Sequence, residues 1–255
     1  MIELKDLSKK FKQVMAVDRL SLTVQPGEIY AFLGPNGAGK TTTIKMIAGT
    51  LQPTSGRVVI DGRDLAADPE RAKGAVGFIP DRPFLYEKLT GLEFLKFMAG
   101  LYRVNSGSFL SRAEGLLEMF ELGGWRYELV ESYSHGMKQR LIMCAALIHQ
   151  PKVLVVDEPM VGLDPRGARL VKKIFRQLRD NGVCIFLSTH TLSIVADLCD
   201  RIGIILHGRL LVEGTADELQ ARAGADGPLE EAFLRLTGGE GEQTLTAFLQ
   251  GRAEA

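Results

Sequence analysis

Gly34, Gly39, Lys40 and Thr41 stand at the spacing G-x-x-x-x-G-K-T, between an apolar run at Ile29–Leu33 and a helix-forming run that stops at Gly49. Glycine lets a chain curl so that successive N–H groups point inward, and a following helix adds its positive end, so this stretch is built to hold a polyphosphate. Gly34, Pro35, Asn36, Gly37, Ala38 and Gly39 form the curl. Lys40 would reach the outer phosphates as a point charge, the Thr41 hydroxyl would sit on Mg²⁺, and Thr42 would add a phosphate hydrogen bond. A second group lies at 153–158, VLVVDE, where Asp157 and Glu158 follow an apolar run. Ligands of open α/β sheets bind at the C-terminal ends of strands, and buried carboxylates are costly unless a cation or a proton transfer needs them. Asp157 therefore reads as the Mg²⁺ partner through water, and Glu158 as the base that polarises an attacking water.

The elements that must carry these groups follow from periodicity and turn residues. Residues 2–7 and 20–24 read as strands, and Pro26-Gly27 turns the chain into the buried strand before the glycine loop. Residues 52–62 read as a turn and a short strand closed by Asp61-Gly62, which predicts an antiparallel sheet beside the main one. A strand at 76–80 leads to Asp81, after which 82–133 turn helical. There Thr90 and Glu93 form a capping box, and a second helix is expected at 111–120, ended by Gly123-Gly124. Helices at 136–149 and 166–180 alternate with strands at 153–156 and 183–187; a hairpin at 202–206 and 209–213 turns on His207-Gly208. Thr215 and Glu218 cap a last short helix, and an amphipathic segment at 229–236 lies in a turn-rich tail.

With 255 residues and 45% hydrophobic content the chain can bury a substantial core, and disorder is excluded as the default. Lys+Arg and Asp+Glu are both 31, so no basic field argues for nucleic acid, and none is expected as a partner. Cys144, Cys184 and Cys199 sit in apolar runs without C-x-x-C spacing, as reduced structural thiols of a cytosolic protein would. The start, MIELKDLSKK, lacks a signal-peptide core, and no apolar run reaches the ~18 residues that span a bilayer, so a soluble protein is expected.

Taken together, the motifs from Phe11 to His190 resemble the nucleotide-binding subunit of an ATP-binding cassette (ABC) transporter, in the order that family shows and over most of the chain. The fold this implies is α/β: a P-loop NTPase core with a mostly parallel sheet, an antiparallel β subdomain and an inserted α-helical subdomain at about 82–135. Residues 1–222 would form the ATPase domain and 223–255 a short tail with one amphipathic helix. Position by position, Phe11 resembles the aromatic that stacks on adenine, although a Phe after a strand is also ordinary packing. YSHGM at 133–137 sits where the family has its signature loop, keeping Ser134 and Gly136 and departing at Tyr133, His135 and Met137. The resemblance implies that two cassettes, in a homodimer or heterodimer, sandwich two ATP molecules, each capped by the partner's Ser134 and Gly136. His135 reads equally as a solvated loop histidine.

Asp164, in GLDP, resembles the loop that communicates across the dimer and also suits a turn before a helix. His190 matches the switch histidine placed near the γ-phosphate, whereas His149 and His207 read as structural. Asp81 stands where relatives commonly carry Gln; it would ligand Mg²⁺ through water or be repelled from the γ-phosphate. Phe84, Tyr86, Phe94, Phe97 and Tyr102 divide between core and a groove for a partner helix. The function implied is Mg-dependent ATP hydrolysis that drives a separate integral membrane permease. The chain would sit in the cytoplasm, held at the inner face of the membrane through that permease. The signature variant resembles exporters more than importers. A soluble ABC ATPase that does not transport and a P-loop kinase are the other readings; a kinase would need neither a signature loop nor Asp164.

Overall fold

Residues 1–81, 84–224 and 227–238 are described in a computed structural model of the chain. In order, the elements are β1 (Ile2–Phe11), β2 (Val14–Val24), β3 (Ile29–Leu33), α1 (Lys40–Ile47), β4 (Ser55–Ile60), β5 (Arg63–Asp64), α2 (Pro69–Gly74), β6 (Val76–Ile79), α3 (Gly91–Leu101) and α4 (Ser106–Met119). They continue as α5 (His135–Leu147), β7 (Val153–Asp157), α6 (Pro165–Asp180), β8 (Cys184–Ser188), α7 (Leu192–Leu198), β9 (Arg201–Leu206), β10 (Arg209–Gly214), α8 (Ala216–Ala223) and α9 (Leu229–Leu236).

One sheet runs β10-β9-β3-β8-β7-β6, parallel except for the antiparallel edge strand β10. The other is antiparallel, β2-β1-β4-β5. This is the α/β architecture that the sequence leads one to expect. Side chains alternate across a strand, so each central strand serves two cores. Ile29, Ala31 and Leu33 of β3 face the helices α3 to α7, while Tyr30 and Phe32 face α1 and the antiparallel sheet. β7 divides likewise, Leu154 and Val156 to the first core and Val153 and Val155 to the second. With both faces covered, the central strands read as unbroken apolar runs.

Several boundaries differ from the sequence reading, each for a local reason. β1 and β2 extend to Phe11 and back to Val14, because bulges at Asp6 (φ 49°) and Arg19 (φ 46°) shift the register and break the alternation by which a strand is recognised. α4 begins at Ser106, its first turn hidden by Ser106, Gly107 and Ser108, with Asn105 capping through the Gly107 N–H at 2.8 Å. α5 ends at Leu147, short of His149. α2, with Asp68 as cap and a proline in its first turn, and the seven-residue α7 were not anticipated. The capping boxes at Thr90/Glu93 and Thr215/Glu218 are both formed. α9 follows the amphipathic segment and buries Leu229 and Ala232; residues 239–255 of the expected tail lie outside the described residues, as do Arg82 and Pro83 at the start of the expected insertion. The cysteines are free thiols, two of them buried, and burial pushes Cys184 up to about 12.

Candidate functional site

The glycine loop leaves β3 and closes onto α1. Gly39 has φ 110°, and a Cβ there would lie 2.4 Å from the Ala16 carbonyl; a Cβ on Gly34 would lie 2.4 Å from that of Ile205. Both positions admit only glycine, the first for its backbone angle and both for space. Gly39 is the N-cap of α1 and offers no side chain to the helix's first N–H groups, and Lys40, Thr41 and Thr42 of that first turn line the cavity. Lys40 Nζ donates to the carbonyls of Gly34 at 2.6 Å and Pro35 at 3.0 Å, holding the ammonium within the loop. Burial keeps that ammonium below the usual lysine range, against the pull of Glu158 and Asp157.

Asp157 ends β7 directly beside Ser188 at the end of β8, a pairing set by the parallel register. The Ser188 hydroxyl donates a short hydrogen bond to the Asp157 carboxylate. Burial raises the pKa of Asp157 above the usual carboxylate range, Asp81 and Glu158 raise it further, and the hydroxyls of Ser188 and Thr41 oppose them. Glu158 is in the left-handed region at φ 53°, its N–H bonded to the Ser188 carbonyl at 3.0 Å. A non-glycine residue held there stores strain of about 1 kcal/mol or more, which persists where surrounding structure dictates it. In this conformation the Glu158 side chain reaches His190, whose Nδ1 lies 2.8 Å from Oε1.

A cavity of about 500 Å³ gathers Asn36, Gly37, Gly39, Lys40, Thr41, Thr42, Asp81, Asp157, Glu158 and His190. Gly34, Pro35 and Ala38 form the back of the same loop. Phe11, Ser134, Gly136 and Asp164 do not line the cavity. Phe11 is exposed at the β1–β2 turn, with Lys9 Nζ 5.2 Å from its ring centre. Ser134 caps α5 through the Met137 N–H at 3.3 Å, and Asp164 caps α6 through the Gly167 N–H at 2.8 Å. Ala16 and Val161 line the cavity without having been singled out from sequence, and Ser188 was noticed only as a neighbour of His190. A small or apolar wall has no motif, so only the fold reveals it. The residues around this cavity suit a phosphate-bound divalent cation. Three carboxylates and two threonines line the cavity, yet among the described residues no group of three or more His, Cys, Asp or Glu could hold a metal by itself. Mg²⁺ takes one or two protein ligands and completes its shell with phosphate and water.

A second cleft, of about 670 Å³, opens beside Asp81 and is lined by Phe84, Leu85, Tyr86, Glu87 and Lys138, among others. Phe84, Tyr86 and Phe97 stack edge to face, with centroids 5.4 and 5.1 Å apart, and all three are exposed. Phe94 is core, and Tyr102 stacks on His149 at 3.7 Å. The aromatics left open by sequence thus divide cleanly. His149 is held structurally, its Nε2 3.1 Å from the Val76 carbonyl. No helix among the described residues is long and apolar enough to cross a membrane.

Comparison with known proteins agrees with this geometry. The chain is 36% identical over 92% of its length to the probable multidrug ABC transporter ATP-binding protein YbhF of Escherichia coli K12, and spans about two fifths, 41%, of that relative's length. It is 35% identical to the linearmycin resistance ATP-binding protein LnrL of Bacillus subtilis 168, covering 92% of this chain and 78% of the relative. A solved ATP-binding subunit of an ABC transporter superposes with TM-score 0.87 at 34% identity, covering 93% of this chain and 99% of that one. The dimeric post-hydrolysis state of the ATP-binding cassette MJ0796, bound to ADP and Pi, superposes with TM-score 0.74 at 25% identity, covering 84% and 98%. The model of the family described as ABC transporter matches residues 17–161, more than half of the chain, and the chain belongs to that family.

Proposed function

We infer that this chain is the ATP-hydrolysing subunit of an exporter, working as a pair of cassettes on a separate membrane permease. The observation that carries this reading is the cavity itself, where the phosphate loop faces the Glu158–His190 pair while Ser134 stays outside. ATP would lie with its phosphates against the loop amides and Lys40, and with adenine toward Phe11. Mg²⁺ would be held by Thr41 and Asp157, with Asp81 reaching it through water, and would neutralise charge on the phosphates. Glu158 accepts the proton of the attacking water, and His190 orients Glu158 and the γ-phosphate. Ser134 and Gly136, at the start of α5, fit the role of capping the nucleotide of a second copy, with Asp164 at the seam. A dimeric neighbour bound to ADP and Pi supports the pairing.

The cassette would comprise residues 1–222, with the helical segment 82–135 inserted. The cleft with Phe84, Tyr86 and Phe97 supports docking of a cytoplasmic permease helix, which would bring the chain to the inner face of the membrane. The similarity to LnrL and YbhF, named for resistance and multidrug transport, favours export. Glu158→Gln tests the reading: ATP binding is retained, turnover falls by at least about a hundredfold, and a nucleotide-bound dimer elutes on size exclusion. Near-normal turnover removes Glu158 as the base. Turnover by the native protein that membranes carrying the permease leave unchanged would favour an ATPase without a transport role.

A further inference from the structure

The loop from Glu158 to Asp164 is short and internally tied. Val161 N–H donates to the Glu158 carbonyl at 3.4 Å and Leu163 N–H to that of Met160 at 3.3 Å, before Asp164 caps α6. Glu158 at one end and Gly162 near the other both have positive φ, 53° and 78°. Overlapping turns of this kind move together rather than flexing at one bond. The space where a side chain at 162 would project is filled by another loop: a Cβ on Gly162 would lie 2.1 Å from His135 Cδ2 and 2.3 Å from Nε2. Gly136 faces the same segment, its Cβ position 3.5 Å from the Gly162 carbonyl. His135 is exposed, so its ring is not there to fill a core, and it directly follows Ser134.

We propose that His135 is a positioning residue whose ring, seated on Gly162, ties the loop that begins at Glu158 to the loop that presents Ser134. The proposal rests on the paired-cassette reading, since Ser134 meets a nucleotide only in a second copy. A shift of the Glu158 backbone passes through the tied turns to Gly162, from there to the imidazole, and so to Ser134. Hydrolysis in one copy thereby loosens the grip on the nucleotide held by the other.

The test is steady-state ATPase kinetics with a double-mutant cycle. His135→Ala is expected to lower kcat about tenfold with KM within about twofold, the mark of an interaction used in turnover rather than in binding. His135→Phe, which keeps a planar ring over Gly162, is expected to stay within about threefold of the native kcat. Gly162→Ala carries the backbone strain of φ 78° in either background, and its cost in kcat is expected to be at least about fivefold smaller once His135 is alanine, because the clash with the ring is gone. Native kcat in His135→Ala, no rescue by phenylalanine, or effects that simply multiply would each overturn the proposal. Size exclusion of Glu158→Gln and of Glu158→Gln/His135→Ala with Mg-ATP separates the two readings. Failure of the single variant to dimerise sinks the paired cassette, whereas dimers in both leave the kinetic outcome to decide on His135.

Discussion

Asp157 shows how single residues are tuned at this site. Its carboxylate is buried and crowded by Asp81 and Glu158, which favour its protonated form, and the hydroxyls of Ser188 and Thr41 oppose them by favouring the ionised form. Ser188→Ala removes a donor that lowers the Asp157 value. The folded protein then holds its proton to higher pH, and the acid limb of the kcat/KM profile is expected to move to higher pH than in the native protein. Asp81→Gln is expected to keep ATPase activity within about tenfold, because Thr41 and Asp157 remain to hold the cation; a loss of several orders in the same assay would make the Asp81 carboxylate essential. The phosphate loop, Asp157, Glu158 and His190 were legible as residue types at fixed spacing. That Ser188 supports Asp157 was not, since the register of β7 against β8 creates the contact across 31 residues of sequence.

Among the elements, one stacked pair stands at the junction of α3, α5 and β6. Tyr102 ends α3, His149 follows α5, and the imidazole bonds the Val76 carbonyl at the start of the strand that leads to Asp81. Burial holds His149 down to about 4, from an ordinary 6.5. Above the ordinary value the ring is neutral folded or unfolded. As pH falls from about 6.5 to about 4, the unfolded chain takes a proton that the folded one refuses, so stability declines through that window and levels off below it. Allowing for screening at a ring that is only partly enclosed, the loss is about 2 kcal/mol. His149→Phe, which keeps the stack, is expected to show a smaller decline between pH 7 and pH 4 in urea midpoints. Elements with strong periodicity or both halves of a capping box were readable in advance, whereas β1 and β2 were cut short by bulges and α7 lacks a side-chain cap.

At the scale of the whole molecule, Asp81 borders both the nucleotide cavity and the aromatic cleft. Two exposed rings in edge-to-face contact, Phe84 and Tyr86, are costly to leave in water and suit a partner helix. Phe84→Ser/Tyr86→Ser is expected to leave basal ATPase activity within about twofold, while the permease no longer co-purifies and stimulation by permease-containing membranes is lost. Unchanged co-purification would move the docking surface elsewhere.

Motifs that depend on backbone chemistry at short range were legible in the sequence alone: a glycine loop between a strand and a helix, an acidic pair at a strand end, caps that start helices. The α/β class followed from them, because apolar runs alternating with capped helices leave few other ways to bury both faces of a sheet. The tertiary structure decided which aromatics are core and which are surface, and which residue wedges against Gly162. It also left Ser134 outside the cavity that it resembles a part of. Those outcomes depend on contacts between segments far apart in the chain, whose distances arise only when strands choose their neighbours and helices settle on the sheet.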